Sequence, residues 1–302
     1  MYDLIIIGGG PSGFTAGIYA QRYALKTLLI EKESLGGQVM TTDIIENYPG
    51  FPKLTGPELV EKFEEHVKGL GLEIKHDEVL SVEDKGEVKI VKTTDGDLNT
   101  RAIILSSGAY PSELGVPGEK EFRGRGVSYC GTCDGPFFRN QRLLIVGGGD
   151  TAITEALYLS RIASDLFVAH RRDQLRAEKI LQERVLNTPN VEILWSNILL
   201  KIDGGDGVEK VLLQNKETGE EKWLDVDGVF IFVGILPNSD FVNVDKDEAG
   251  FIKTNENMET SVEGIYAAGD CRVTPLRQVT TAVGDGAIAA FSAEKYISKM
   301  GR

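Results

Sequence analysis

Two stretches of this chain follow one pattern, and that pattern constrains the fold more than any other feature. The first runs Asp3-Leu4-Ile5-Ile6-Ile7, then Gly8-Gly9-Gly10-Pro11-Ser12-Gly13, a helix-like segment to about Tyr23, and Thr27-Leu28-Leu29-Ile30-Glu31. The second runs Arg142-Leu143-Leu144-Ile145-Val146, then Gly147-Gly148-Gly149-Asp150-Thr151-Ala152, a helix-like segment to about Ile162, and Leu166-Phe167-Val168-Ala169-His170. Each reads as an apolar strand, a glycine turn, a helix and a second strand, the βαβ unit that binds a dinucleotide. Gly8 to Glu31 and Gly147 to His170 span the same 23 residues. One such fingerprint is weak evidence. Two in matched frames leave little room for glycine turns that bind nothing.

The two units suit different nucleotides. In the first, Gly8 permits a tight turn, Gly10 lets backbone approach a pyrophosphate, and Gly13 lets helix and strand pack closely. Pro11 and Ser12 open the helix, whose N-terminal N–H groups and partial positive charge favour phosphate. Glu31 closes the second strand. A carboxylate there accepts hydrogen bonds from a free ribose 2′-hydroxyl and repels a 2′-phosphate, which suits FAD or NAD. In the second unit, Gly147, Gly149, Asp150 and Thr151 occupy the corresponding turn and helix start. His170 replaces the acid and is followed by Arg171, Arg172 and Arg176. Guanidinium forks bind phosphate dianions bidentately, so this site suits NADPH. Three arginines within six residues stand out in a chain of net charge −13, which disfavours a merely solvated basic patch.

That acidity argues against nucleic acid or an anionic membrane as the main partner. The N-terminus lacks the pattern of a signal peptide, and no apolar run approaches the roughly 18 residues needed to cross a bilayer. The expectation is a cytoplasmic protein. With 302 residues, 41% of them apolar, the chain is long enough for two domains. A further strand, Gly264-Ile265-Tyr266-Ala267-Ala268, ends in Gly269-Asp270, and a long helix-like segment follows from about Thr280 to Lys299. This tail is expected to return to the first domain. The turn-rich Gly115–Gly118 and Gly234–Asn238 mark the crossings. The fold expected is α/β with two Rossmann-like domains. Residues 1–112 and 245–302 form a discontinuous first domain with the FAD-or-NAD site, and residues 113–244 form an inserted second domain with the NADPH-suited site.

Of three cysteines, Cys130 and Cys133 lie in Cys130-Gly131-Thr132-Cys133-Asp134, just before the second fingerprint. CxxC spacing closes a small-loop disulfide and lowers a thiol pKa, and it also occurs as half of a zinc site. Cys271, His66, His76 and His170 supply no metal-like spacing, so no metal is expected. Asp134 has two compatible readings: the acid that protonates a leaving thiolate, or a helix N-cap. Cys271, without a partner in sequence, reads as a small packed side chain.

Over essentially its whole length the chain resembles the low-molecular-weight, bacterial-type thioredoxin reductases. The resemblance rests on Gly8 to Gly13, Gly36-Gly37-Gln38, Glu46-Asn47-Tyr48-Pro49-Gly50, Cys130 to Gly135, Gly147 to Ala152, His170 to Arg176, Ala268-Gly269-Asp270 and Arg277-Gln278. It implies electron flow from NADPH through FAD to a redox-active Cys130–Cys133 disulfide and on to thioredoxin, in a homodimer. It also implies FAD for the first domain, where Asp270 holds its ribityl chain, with Gly37, Gln38, Asn47, Gly269, Arg277 and Gln278 as further contacts. Cys133 would be the sulfur nearer the flavin and Cys130 the one that attacks substrate. Two departures are small: Gly131 stands where Ala is common in the family. Asp150 stands where Asn is common, and it puts a carboxylate near the NADPH pyrophosphate.

Three other readings are weaker. The nearest is a flavoprotein serving a related thioredoxin-like or glutaredoxin-like partner or a peroxide-reducing one; the peroxide-reducing proteins carry an extra N-terminal thioredoxin-like region, expected to be absent here because the first fingerprint begins at Gly8. A small-molecule dithiol oxidase would lack the arginines. A non-catalytic redox-sensing nucleotide-binding protein would not need an intact CxxC-Asp.

Overall fold

A computed structural model describes residues 1–42 and 45–301. The chain divides into two compact units, Met1–Tyr110 with Leu236–Arg302, and Pro111–Ile235.

The first unit opens with β1 (Tyr2–Ile7), α1 (Pro11–Arg22) and β2 (Thr27–Glu31), followed by α2 (Gly56–Gly69), β3 (Glu73–His76), β4 (Val79–Lys85), β5 (Val88–Thr93) and β6 (Gly96–Leu105). Its sheet runs β3-β2-β1-β6-β5-β4. The strands β3, β2, β1 and the end of β6 are parallel, whereas β4 and β5 form an antiparallel hairpin against the start of β6. Successive side chains of β1 point to opposite faces, and both faces are covered. Leu4 and Ile6 pack with Phe14, Ala16 and Leu59 on the helix side, and Ile5 and Ile7 with Ile103, Leu105 and Ile252 on the other. A strand buried on both faces must be a near-continuous apolar run, and burying each such side chain contributes roughly 1.5–3 kcal/mol.

The strand β7 (Ala109–Pro111) leaves this unit. The second unit contains β8 (Val127–Ser128), α3 (Gly131–Asp134), β9 (Arg142–Gly147), α4 (Asp150–Leu159), β10 (Asp165–His170), α5 (Lys179–Leu186), β11 (Val191–Trp195), β12 (Asn197–Gly204), β13 (Val208–Asn215), β14 (Glu221–Asp225) and β15 (Gly228–Phe232). A five-stranded parallel sheet runs β11-β10-β9-β15-β8, and β12-β13-β14 form a separate antiparallel sheet. The logic of β1 repeats in β9: Leu144 and Val146 enter one apolar cluster, Leu143 and Ile145 the other.

The return strand β16 (Ile235–Pro237) pairs with β7. The crossing at Ile235/Leu236 comes earlier than the 244/245 read from the sequence. Its cause is burial: Val242 and Val244 pack with Ile5 and Ile103 in the first unit, and Phe241 O accepts the N–H of Val82. The first crossing, Tyr110/Pro111, lies close to the expected 112/113. The tail then supplies β17 (Ile265–Ala267), parallel to β6, and the long α6 (Val279–Lys299). Helix α6 lies on α1, where Gly286 permits the approach: a Cβ there would meet Ser12 O at 2.2 Å. Among the described residues, no helix is long and apolar enough to cross a membrane.

Candidate active site

In the first unit the chain turns after β1 at Gly8, whose φ of +107° favours glycine and where a Cβ would meet Ser106 O at 2.3 Å. A Cβ on Gly13 would stand 1.9 Å from Gly8 O, so α1 can pack on the strand only without one. Gly10, the N-cap of α1, has open space above it, and Gly37 faces it across that space. Glu31 closes the ring: Oε2 accepts from Gly9 N at 2.6 Å and Oε1 from Glu33 N at 2.8 Å. Each oxygen keeps lone-pair capacity for a ligand hydroxyl. Pro11 and Ser12 begin the helix beneath, and a Cβ on Gly269 would stand 2.8 Å from Ser12 Oγ.

Tail residues complete this site. Asn47 Nδ2 donates to Gln278 Oε1 at 3.2 Å, so two residues far apart in sequence meet. Gln38 is exposed on the short 3-10 turn that begins at Gly37. The Arg277 guanidinium stacks over Phe251 at 4.1 Å, and its buried Nε has no hydrogen-bond partner among the described residues. That orphaned donor and the open glycine cradle fit a bound dinucleotide. Sequence reasoning missed the support beneath the Gly269-Asp270 turn. Asp285, on α6, accepts from Gly269 N at 3.1 Å and pairs with Arg272 through both oxygens, at 2.8 and 3.1 Å.

Burial raises Asp270 to about 6, and the Asp285 carboxylate adds to the rise while Arg277 opposes it. A folded-state pKa above the ordinary 3.8 means stability is full at low pH and falls as pH rises from about 4 through 6. The loss is on the order of 3 kcal/mol for the nucleotide-free protein. Asp270→Asn is expected to abolish this pH dependence. Melting temperatures of both proteins between about pH 4 and 8 test it, and parallel curves would refute it.

In the second unit, a Cβ on Gly147 would stand 2.6 Å from Phe232 O, and Gly149 has open space above it at the start of α4. Thr151 is exposed in the first turn. Asp150 is exposed at the start of α4, and its Oδ1 accepts from Glu178 N at 2.8 Å. His170 departs most from expectation. It is 4% exposed and lies under Gly148, with Nδ1 3.1 Å from Gly147 O and Nε2 2.9 Å from Gln174 O. A Cβ on Gly148 would stand 2.1 Å from the ring. The imidazole therefore shapes the turn from beneath and presents no free ring nitrogen. Burial also lowers its pKa, with Arg176 and Arg172 contributing repulsion. The three arginines point the other way. Arg171, Arg172 and Arg176 are exposed, and among the described residues none pairs with a carboxylate. The Arg176 backbone N–H donates to Gly148 O at 2.7 Å, which ties this arginine to the glycine turn.

Cys130 and Cys133 are joined as a disulfide on the single turn of α3. Cys130 Sγ also accepts the N–H of Cys133 at 3.2 Å, a contact that favours negative charge on that sulfur. Asp134 Oδ2 accepts from Ser128 Oγ at 2.5 Å. Asp134 stands at the N-cap position of the following 3-10 turn, where its side chain makes no cap hydrogen bond. Ser128, which meets Asp134 here, is a residue that no motif flags. Cys271 is free, fully buried, and raised by burial to about 11, which makes it inert.

With this geometry in view, the family follows. Residues 2–286 match the pyridine nucleotide-disulphide oxidoreductase family, and the chain belongs to it. Within that family, it is 48% identical to a thioredoxin reductase of Bacillus subtilis, covering 99% of this chain and 96% of that protein. It is 43% identical to a thioredoxin reductase of Peptoclostridium acidaminophilum, covering 98% and 97%. The crystal structure of thioredoxin reductase from Streptococcus pyogenes superposes with a TM-score of 0.95 at 44% identity, covering 99% of both chains.

Proposed function

We propose that this protein is an NADPH-dependent thioredoxin reductase that passes electrons through FAD and the Cys130–Cys133 disulfide to oxidised thioredoxin. The observation that carries the reading is the Cys130–Cys133 disulfide beside Asp134, in the same compact unit as a glycine fingerprint flanked by three arginines that no carboxylate pairs among the described residues. Bound FAD would supply a two-electron carrier between the hydride of NADPH and a disulfide. Gly8, Gly10, Gly13, Glu31, Gly37, Gln38, Asn47, Asp270, Arg277 and Gln278 would hold it. The second fingerprint and Arg171, Arg172 and Arg176 would hold NADPH, with Gly148 and His170 shaping the turn. The reading extends to a homodimer, as the resemblance implies, and to a cytoplasmic location.

Once reduced, the pair exchanges with a protein disulfide in two steps. The Cys130 thiolate, favoured by the N–H of Cys133, attacks a substrate sulfur and expels the other as thiolate. Cys133 then attacks Cys130, restores the disulfide and releases the substrate as a dithiol. Asp134 protonates a leaving thiolate, and the Ser128 hydroxyl orients its carboxyl. Asp134→Asn keeps the shape and loses the acid. It is expected to lower turnover roughly a hundredfold to ten-thousandfold. Turnover equal to the parent would leave Asp134 a structural role only. Steady NADPH oxidation that requires oxidised thioredoxin tests the function as a whole. Oxidation supported equally by small disulfides or by peroxide alone would overturn it.

A further inference from the structure

Gly131, inside the CxxC turn, is a glycine for a reason that lies on another element. An ideal Cβ built there would stand 2.1 Å from Oε2 of Glu155 and 3.1 Å from its Cδ. The carboxyl of Glu155, projecting from α4, therefore occupies the space over the backbone between the two cysteines. Helix α4 presses on the same turn again at Gly135, where a Cβ would meet Leu159 at 2.6 Å. Oε2 of Glu155 is buried and has no hydrogen-bond partner among the described residues. An ionised carboxylate with an unsolvated oxygen is costly, and its neutral form bears burial better.

The charges around Glu155 do not explain its position as one half of an ion pair. Of the elements packed on α4, β15 has no titratable side chain, β9 has only Arg142, and β10 only Asp165 and His170. Helix α5 carries Lys179, Glu183 and Arg184, α4 itself Asp150 and Tyr158, and α3 the cysteines and Asp134. None of them offsets burial, which is the sole cause of a raised pKa at Glu155.

We propose that Glu155 is a proton-holding partner of the redox pair: its carboxyl, seated on Gly131, binds a proton when the Cys130–Cys133 disulfide is reduced and releases it on reoxidation. The inference rests on the reading of that pair as the redox centre. Reduction breaks the S–S bond, and two electrons and one proton leave one thiol and one thiolate. The new negative charge on α3 raises the proton affinity of a carboxylate held against the same turn. Glu155 then takes a second proton from solvent. Two electrons and two protons have entered, and the net charge of the α3–α4 contact is unchanged. Glu155 acts through the sulfurs, as a positioning group for charge, and takes no part in sulfur exchange.

The test equilibrates the full-length flavin-loaded protein with mixtures of reduced and oxidised dithiothreitol between about pH 5 and 9. Alkylation and mass spectrometry read the fraction of Cys130 and Cys133 reduced. At low pH the carboxyl is neutral in both redox states, so the parent and Glu155→Gln should coincide. As pH rises the parent's carboxylate repels the thiolate, and the variant should become easier to reduce. A coupling of one pKa unit makes the gap about tenfold in the equilibrium constant. A ratio that stays constant with pH overturns the inference, because a purely structural role would produce that. Should Glu155→Gln fail to fold, Gly131→Ala displaces the carboxyl from the turn. It should diverge from the parent with pH in the same direction, and no divergence overturns the inference equally. The two layers of the reading fail differently. A pair that stays oxidised while NADPH bleaches the flavin sinks both the redox assignment and this inference. A pair that cycles with a pH-independent ratio sinks this inference alone.

Discussion

Cys130→Ser and Cys133→Ser are each expected to abolish disulfide reductase turnover, by on the order of 10⁴-fold or more, because the two residues act as a unit and exchange needs both sulfurs. Neither substitution touches the glycine cradles or the arginines, so bleaching of the flavin by NADPH should persist in both. The two variants should also differ from each other. Cys130→Ser removes the sulfur that accepts the N–H of Cys133, whereas Cys133→Ser leaves that hydrogen bond in place. A mixed disulfide with thioredoxin should therefore accumulate on Cys130 in Cys133→Ser and not on Cys133 in the converse variant. Cys271→Ser is the control: that thiol is fully buried and has no sulfur partner, so turnover should hold. Stopped-flow absorbance, following flavin reduction separately from thioredoxin reduction, reads all three. A dead Cys271→Ser beside an active Cys130→Ser would show that the wrong sulfurs had been assigned.

The second large effect is expected at the arginines. Arg171, Arg172 and Arg176 are exposed and unpaired among the described residues, in a chain of net charge −13. Charge-assisted hydrogen bonds to a 2′-phosphate contribute about 1.5–3 kcal/mol each. Removing Arg171 and Arg172 together should lower kcat/KM for NADPH by about a hundredfold or more and change that for NADH less than about threefold. Lysines at the same two positions keep the charge and lose the planar fork, so an intermediate value is expected. Equal losses with both nucleotides would show that the arginines support the fold and do not read the phosphate.

Much of this site is legible in the order of residues along the chain, because it depends on residue type and short-range spacing. A glycine whose side chain would collide with backbone, such as Gly13 against Gly8, leaves a trace in the sequence wherever it occurs. The two fingerprints, the CxxC and the arginine cluster are local patterns of that kind. The antiparallel hairpin β4-β5 and the sheet β12-β13-β14 are not legible in the same way. Their strands are half-exposed, and alternation with short turns such as Asp95-Gly96 and Asp206-Gly207 marks the hairpins without saying which sheet each joins.

Asp134, His170 and Glu155 mark the boundary between the two kinds of information. The sequence by itself determined that the chain carries two dinucleotide folds, a closely spaced cysteine pair and an arginine cluster, because each is written in residues a few positions apart. Only the tertiary structure decided what those residues face. His170 ends β10 with its ring turned inward under Gly148, and the exposed side chains of this segment include those of the three arginines. Asp134 accepts a hydrogen bond from Ser128, at the end of β8, as well as standing where one turn passes into the next. Glu155 meets Gly131 only because α4 lies against the redox turn. The spacing of side chains along a chain sets what chemistry is available, and burial and packing between distant segments set where each charge must find a partner or a proton.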